Sequence, residues 1–207
     1  MTEPSKPEIS GAIAATSMFV EVLVIGIGAL AAITGFVSAA AGYSNMQKVA
    51  PLLASTPASG AALAFSYALG VAIDRAADYL LTSHRRRIRD RHFSSNAAYG
   101  LARRAVAESP HITAMADYAR SRMRVCRGWI LNSLLLSLSS ILLVSRFPFQ
   151  DRASLIAIVV TLGGLSTFGF YAAWMNITGT SYRKLSQQAA ELREYSLTQS
   201  SDEIYDT

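Results

Sequence analysis

The chain is short of charge and nearly empty of cysteine. Charged residues make up 16% of its 207 positions, where about 25% is usual in soluble domains. Low charge beside 51% hydrophobic residues excludes an intrinsically disordered chain, which needs the opposite balance. One cysteine, Cys126, excludes a disulfide scaffold and says little about redox compartment. Thirteen glycines without a three-residue period exclude a collagenous chain. Phosphate-cradling loops of the form G-x-x-x-x-G-K-[ST], H-E-x-x-H helices and G-x-S-x-G elbows are all missing. The three histidines, His84, His92 and His111, lack the cysteine or carboxylate spacing of a zinc site. No catalytic residue, metal or cofactor is therefore expected, and the chain reads as a non-enzyme.

What is present is a net charge of +5 and four uncharged stretches, 22–42, 52–73, 128–145 and 153–182. A helix needs roughly 20 apolar residues to cross a ~30 Å hydrocarbon core. A soluble bundle would place polar residues along one face of each helix, and VLVIGIGALAAITGFVSAAAG has no such face. The small residues Ala39 to Ala41 resemble a signal cleavage site, but the start MTEPSKPEIS lacks a basic n-region, so the first stretch reads as an uncleaved span. The expected fold is an all-α integral membrane protein with four transmembrane helices in two antiparallel hairpins and a cytoplasmic helical extension between helices two and three.

The expected organisation is a tail over 1–12, a first hairpin over 13–82 (spans about 14–42 and 52–80), and a basic helical loop over 83–126. A second hairpin follows over 127–179 (spans about 127–146 and 153–178), then a cytoplasmic helix over 180–198 and an acidic tail over 199–207. Ser109 followed by Pro110 is a helix start, and the helix it opens is expected to run unbroken into span three. Between Leu81 and Arg127 lie eleven arginines against Asp90, Glu108 and Asp117. Such a loop stays on the cytoplasmic side. With four spans both termini join it, placing the protein in the cytoplasmic membrane, and Trp129 and Trp174 then lie near the inner boundary. The acids of the tail, Asp202, Glu203 and Asp206, are expected to be loose in solvent or to meet the arginines.

Small residues recur on the spans. Span one carries Gly26, Gly28, Ala32 and Gly35, and span four Gly163 and Gly164. Span two carries Ala54, Ala58, Ala62, Ser66 and Gly70 at four-residue spacing, and Gly60, Ala64, Ala68 and Ala72 on its opposite side. Small residues let helices approach closely where lipid removes the hydrophobic drive, so span two is expected to be central. The hydroxyls of spans three and four, among them Ser133, Ser137, Ser139 and Thr161, suit interhelical hydrogen bonding or a wet path.

If the first hairpin turns near Gln47, Glu21 is level with Asp74 and Arg75. The string Gly70-x3-Asp74-x3-Asp78 resembles the second half of the signature of CDP-alcohol phosphotransferases, membrane enzymes in which carboxylates on adjacent helix turns hold divalent metals. The first half of that signature, D-x2-D-G-x2-A-R, has no counterpart, since no aspartate precedes Asp74. The resemblance covers nine residues and assigns no family. Two uses of Glu21, Asp74, Arg75 and Asp78 stay open: ion pairing at the inner membrane boundary, with Arg75 as the cation, or an acidic ring on an ion path.

Arg85, Arg86, Arg87, Arg89, Arg91, Arg120, Arg124 and Arg127 suit anionic lipid headgroups or a cytosolic protein partner. Nucleic acid is disfavoured, because Phe93 and Tyr99 are the only aromatics interleaved with the cluster. The functional expectation is a homo-oligomeric channel, pore or membrane-perturbing effector controlled from the basic helices. The alternative is a non-conducting membrane adaptor or sensor that recruits a cytosolic protein or anionic ligand through the arginine-rich loop.

Overall fold

The computed structural model describes the backbone of residues 6–53, 55–107 and 109–205, and side chains between 15 and 193 except 43, 49, 50, 52–54, 108, 110 and 111. Every regular element among them is a helix: α1 (Lys6–Ala41), α2 (Tyr43–Leu53), α3 (Thr56–Arg89), α4 (Asn96–Ala107), α5 (Pro110–Arg146) and α6 (Arg152–Tyr205). Four contain segments long and apolar enough to cross a membrane, Ala15–Ala41, Thr56–Arg89, Ile112–Arg146 and Arg152–Arg193. The described residues are thus all-helical, with four helices of membrane-spanning length and apolarity.

The helix ends follow from local chemistry. Gly42 adopts φ +80°, and its N–H donates to the Ser38 carbonyl at 3.1 Å, the left-handed closure that glycine permits. The Ser95 hydroxyl accepts from the Ala98 N–H at 3.1 Å, capping α4. Ser109 precedes α5, which runs unbroken to Arg146 as its Ser-Pro start predicts. Two differences from the sequence expectation stand out. The connection expected as a short loop after Tyr43 is the eleven-residue helix α2, with Pro51 in its last turn. The cytoplasmic helix expected over 180–198 is continuous with the fourth span in α6, because no proline separates the two and Gly179 at their junction does not adopt the positive φ of a helix stop. The acidic tail calls, Asp202, Glu203 and Asp206, lie outside the described side chains.

The chain divides into two compact units. The first comprises Met1–Tyr79 with Arg124–Ala172, and the second Leu80–Met123 with Ala173–Thr207. In the first unit α1 crosses α3 with opposed direction: a Cβ on Gly26 would strike the Ser66 carbonyl, and one on Gly70 the Val22 carbonyl. Backbone lies on backbone there, which requires glycine on both helices. Along α5 the partners of α1 rise together: Glu21 meets Arg124, Ile25 packs on Gly128, Gly28 on Asn132 and Gly35 on Ser139, so these two helices run parallel. Between α5 and α6 the numbering opposes again, with Ser137 against Gly163 and Trp129 stacked on Phe170 at 5.7 Å.

The helices surrounded on several sides are therefore α1 and α5, which corrects the expectation that span two is central. Ile25, Ala29 and Ala32 of α1 and Asn132 of α5 are fully enclosed. On α3, Ser66 and Gly70 are buried and Ala58 and Ala62 half-buried, whereas Gly60, Ala64, Ala68 and Ala72 are exposed. Small-residue spacing marks where a helix can be approached, and only one of the two stripes on α3 is used within this chain. Gly163 packs on α5, while Gly164 is exposed.

Two alanine substitutions measure the crossing. Gly70→Ala puts a methyl into a backbone carbonyl and should destabilise by at least the ~1–3 kcal/mol of ordinary overpacking. Gly60→Ala meets nothing within 4 Å and should be neutral or stabilising by up to about 1 kcal/mol. Unfolding of both variants in detergent, followed by circular dichroism, gives the comparison.

Candidate functional site

A charge cluster forms where α1, α3 and α5 meet in the first unit. Asp74 and Asp78 are one turn apart on α3, and Arg124 and Arg127 three residues apart on α5, so each pair shares one helix face. Arg127 donates through Nε and Nη2 to the two carboxylate oxygens of Asp74, both at 2.9 Å, and through Nη1 to Asp78 Oδ1. Arg124 Nη1 donates to Glu21 Oε2 at 3.2 Å, and Ser17 Oγ donates to Glu21 Oε1 at 2.9 Å. The Asp74 side chain is 4% exposed and that of Arg127 15%. A planar guanidinium matched edge to edge with a carboxylate is the geometry that best offsets the desolvation of both charges.

The sequence brought Glu21, Asp74 and Arg75 to one depth, with Asp78 one turn from Asp74, and offered Arg75 as the cation. The structure places Arg75 on the exposed side of α3, and the arginines that meet these acids are Arg124 and Arg127. Those two were grouped with the lipid-facing or partner-facing arginines, and they turn inward instead. Of the remaining members of that group, Arg86, Arg87, Arg91 and Arg120 are exposed, with Arg120 beside Asp117 at 3.0 Å, while Arg85 and Arg89 are half-buried.

The polar residues of α5 and α6 are mostly turned onto their own backbones. Ser137 Oγ donates to the Ser133 carbonyl at 2.7 Å, Ser139 Oγ to Leu136 at 3.0 Å and Thr161 Oγ1 to Ala157 at 2.8 Å. Asn132 is different. Its Nδ2 donates across to the Ile25 carbonyl at 2.7 Å, and its Oδ1 is enclosed with no hydrogen-bond partner. It joins α1 to α5 one to two turns from the charge cluster. The groove between α5 and α6 is lined chiefly by apolar side chains such as Leu134, Ile141, Val160 and Phe168, a surface suited to lipid rather than to ions. Among the described residues no three His, Cys, Asp or Glu side chains are grouped to hold a metal ion.

The second unit holds a cluster that sequence reading did not assemble. Phe93, Tyr99 and Tyr182 contact one another edge to face, with centroids 5.3, 5.8 and 6.4 Å apart. The guanidinium carbons of Arg89 and Arg103 lie 5.7 and 5.9 Å from the Tyr99 ring centre. Ile88, Ala102 and Val106 are buried in the same unit. The aromatic spacing within 93–99 was visible, but its third ring comes from a segment more than 80 residues away, which no local pattern announces.

No protein family model, curated protein or solved structure matches the chain.

The cluster's energetics can be ranked. Asp74→Asn leaves Arg127 buried with its best partner neutralised and should cost about 3–5 kcal/mol, whereas Arg75→Gln, on an exposed position, should stay within about 0.5 kcal/mol of wild type. Denaturant unfolding in detergent, monitored by Trp129 and Trp174 fluorescence, separates the two.

Proposed function

We propose that the protein is a non-conducting membrane adaptor or sensor, multi-pass in the cytoplasmic membrane, with two antiparallel hairpins, both termini inside, and a basic helical unit that receives a cytosolic protein or anionic ligand. The observation that carries this reading is the pairing of Asp74 and Asp78 with Arg127 and of Glu21 with Arg124. A cation-selective pore mouth needs carboxylates whose charge faces the permeating ion. Acids matched by guanidinium groups on a neighbouring helix serve to fix helix positions instead. The self-bonded hydroxyls of Ser137, Ser139 and Thr161 add to the same side, since each spends its proton on its own helix backbone.

Partner recruitment is supported by charge. Arg86, Arg87, Arg91 and Arg104 are exposed, and clusters of this kind bind anionic headgroups or acidic partner surfaces. Homo-oligomerisation is supported by the open α3 face of Gly60, Ala64, Ala68 and Ala72, where a second helix can approach closely. The membrane-facing half of the proposal thus rests on packing and the cytoplasmic half on electrostatics.

Ion flux decides between adaptor and pore. Purified protein reconstituted into liposomes should leave potassium and proton permeability at the level of protein-free vesicles. Flux that appears with the protein and changes with Glu21→Gln or Asp74→Asn would establish the pore reading instead.

A further inference from the structure

Within the first unit α6 meets α5 through Gly163 on Ser137 and Phe170 on Trp129, and a groove of about 510 Å³ runs between these helices. That volume falls within the ~300–1,000 Å³ of small-molecule sites. Its bottom is small and its rims are large. Ser137 and Gly163 touch each other, and beside them Gly164 leaves a gap where a Cβ would meet nothing within 4 Å. The rim residues Leu134, Leu138, Val160 and Phe168 stand 46%, 54%, 53% and 70% exposed. The hydroxyls of the lining are turned away: Ser137 Oγ donates to the Ser133 carbonyl, and Thr167 Oγ1 is enclosed, which leaves its methyl to face the groove. We propose that this groove is an intramembrane lipid site that holds one acyl chain of a phospholipid from the leaflet beside the Arg127–Asp74 cluster. The proposal rests on the membrane placement of the spans given above.

Depth and length select that occupant. The groove is lined on α5 from Ile130 to Ile141 and on α6 from Val160 to Tyr171, and helical stretches of that length rise ~16 Å at ~1.5 Å per residue. One leaflet of a ~30 Å hydrocarbon core is ~15 Å deep. Ile130 lies one turn along α5 from Arg127, so the groove covers this leaflet from its boundary charges to the midplane. Tyr171 stands at the mouth, because the opposed pairing of α5 and α6 sets it level with Gly128 and Trp129. A phenol suits the zone where headgroup gives way to hydrocarbon. A second helix, ~10–12 Å across with its side chains, would rest on Leu138 and Phe168 and leave the gap at Gly164 unfilled. A single flexible hydrocarbon chain follows the bottom.

The groove differs from ordinary lipid-facing surface in what an occupant does for the fold. The most apolar stretch of the α6 span has no buried residue, so in the first unit this helix is seated along one side. A chain in the groove touches α5 and α6 together and supplies the dispersion contacts that an open bottom lacks. Bound lipid is thus a packing element between the third and fourth spans.

The test uses the full-length protein in phosphatidylcholine nanodiscs containing a small fraction of phosphatidylcholine with a mid-chain diazirine. Light fixes that chain to the side chains it touches, and peptide mass spectrometry maps the adducts. Labelling around Leu134, Leu138 and Phe168 should exceed that at Leu63, Phe65 and Val71, exposed on α3, by about fivefold or more. Gly164→Leu fills the gap without meeting a neighbour at its Cβ and should cut groove labelling about fivefold or more, with α3 labelling and helical circular dichroism unchanged. Phe168→Ala removes a rim at an exposed position and should cut it about twofold or more. Leu165→Ala, equally exposed on α6 but outside the groove, should leave it unchanged. Even labelling of groove and α3, or groove labelling indifferent to both Gly164→Leu and Phe168→Ala, overturns the site. A dimer in native mass spectrometry that Gly164→Leu dissolves assigns the groove to a second copy and overturns it too. Failure to enter the nanodiscs overturns the membrane placement itself, and the adaptor reading is judged by ion flux, so these failures are told apart.

Discussion

The contact on which the rest of the first unit depends is Arg127 held between Asp74 and Asp78. Charges at this burial are tolerated only in company, and the company is specific: Arg127 reaches both oxygens of Asp74 and one of Asp78, which requires α3 and α5 in one register. Arg124 and Glu21 extend the same constraint to α1. Three helices distant in sequence are thus fixed at one level by two arginines three residues apart. The apolar surfaces of the spans cannot do this, since lipid is as good a neighbour for them as another helix.

Close packing completes what the charges begin. Gly26, Ser66, Gly70 and Val22 bring α1 and α3 to backbone contact, and the ladder of Ile25 on Gly128, Gly28 on Asn132 and Gly35 on Ser139 seats α5 beside α1. Asn132 adds a cross-helix hydrogen bond in the enclosed interior, where a partner is most needed. Both sets of contacts place the ionisable groups among helices, so packing and pairing support the proposed adaptor reading together.

Much of this was legible in the sequence because it is written locally. Uncharged stretches of span length, the Ser109-Pro110 start and the pair Ser66 and Gly70 on one face of α3 all act within a few turns. Gly60, Ala64, Ala68 and Ala72 show the limit of that legibility: their spacing is as regular as that of Ser66 and Gly70, yet only the latter face another helix of this chain. The partners of the acids were illegible for a related reason. Arg75 is adjacent to Asp74 in sequence but emerges from α3 on another side, whereas Arg127 arrives by the parallel pairing of α1 and α5, which at Glu21 and Arg124 joins residues 103 apart in sequence. The Phe93, Tyr99 and Tyr182 cluster was hidden by the same long sequence separation.

The direct test of the buried pairing is a double-mutant cycle on unfolding free energy in detergent, with Asp74→Asn, Arg127→Gln and the combined variant. The pairing predicts strong coupling, about 1.5 kcal/mol or more and within the 0.5–3 kcal/mol range of residues in contact, with the combined variant more stable than the sum of single losses. Additive losses, or coupling of Asp74 to Arg75 in place of Arg127, would contradict it.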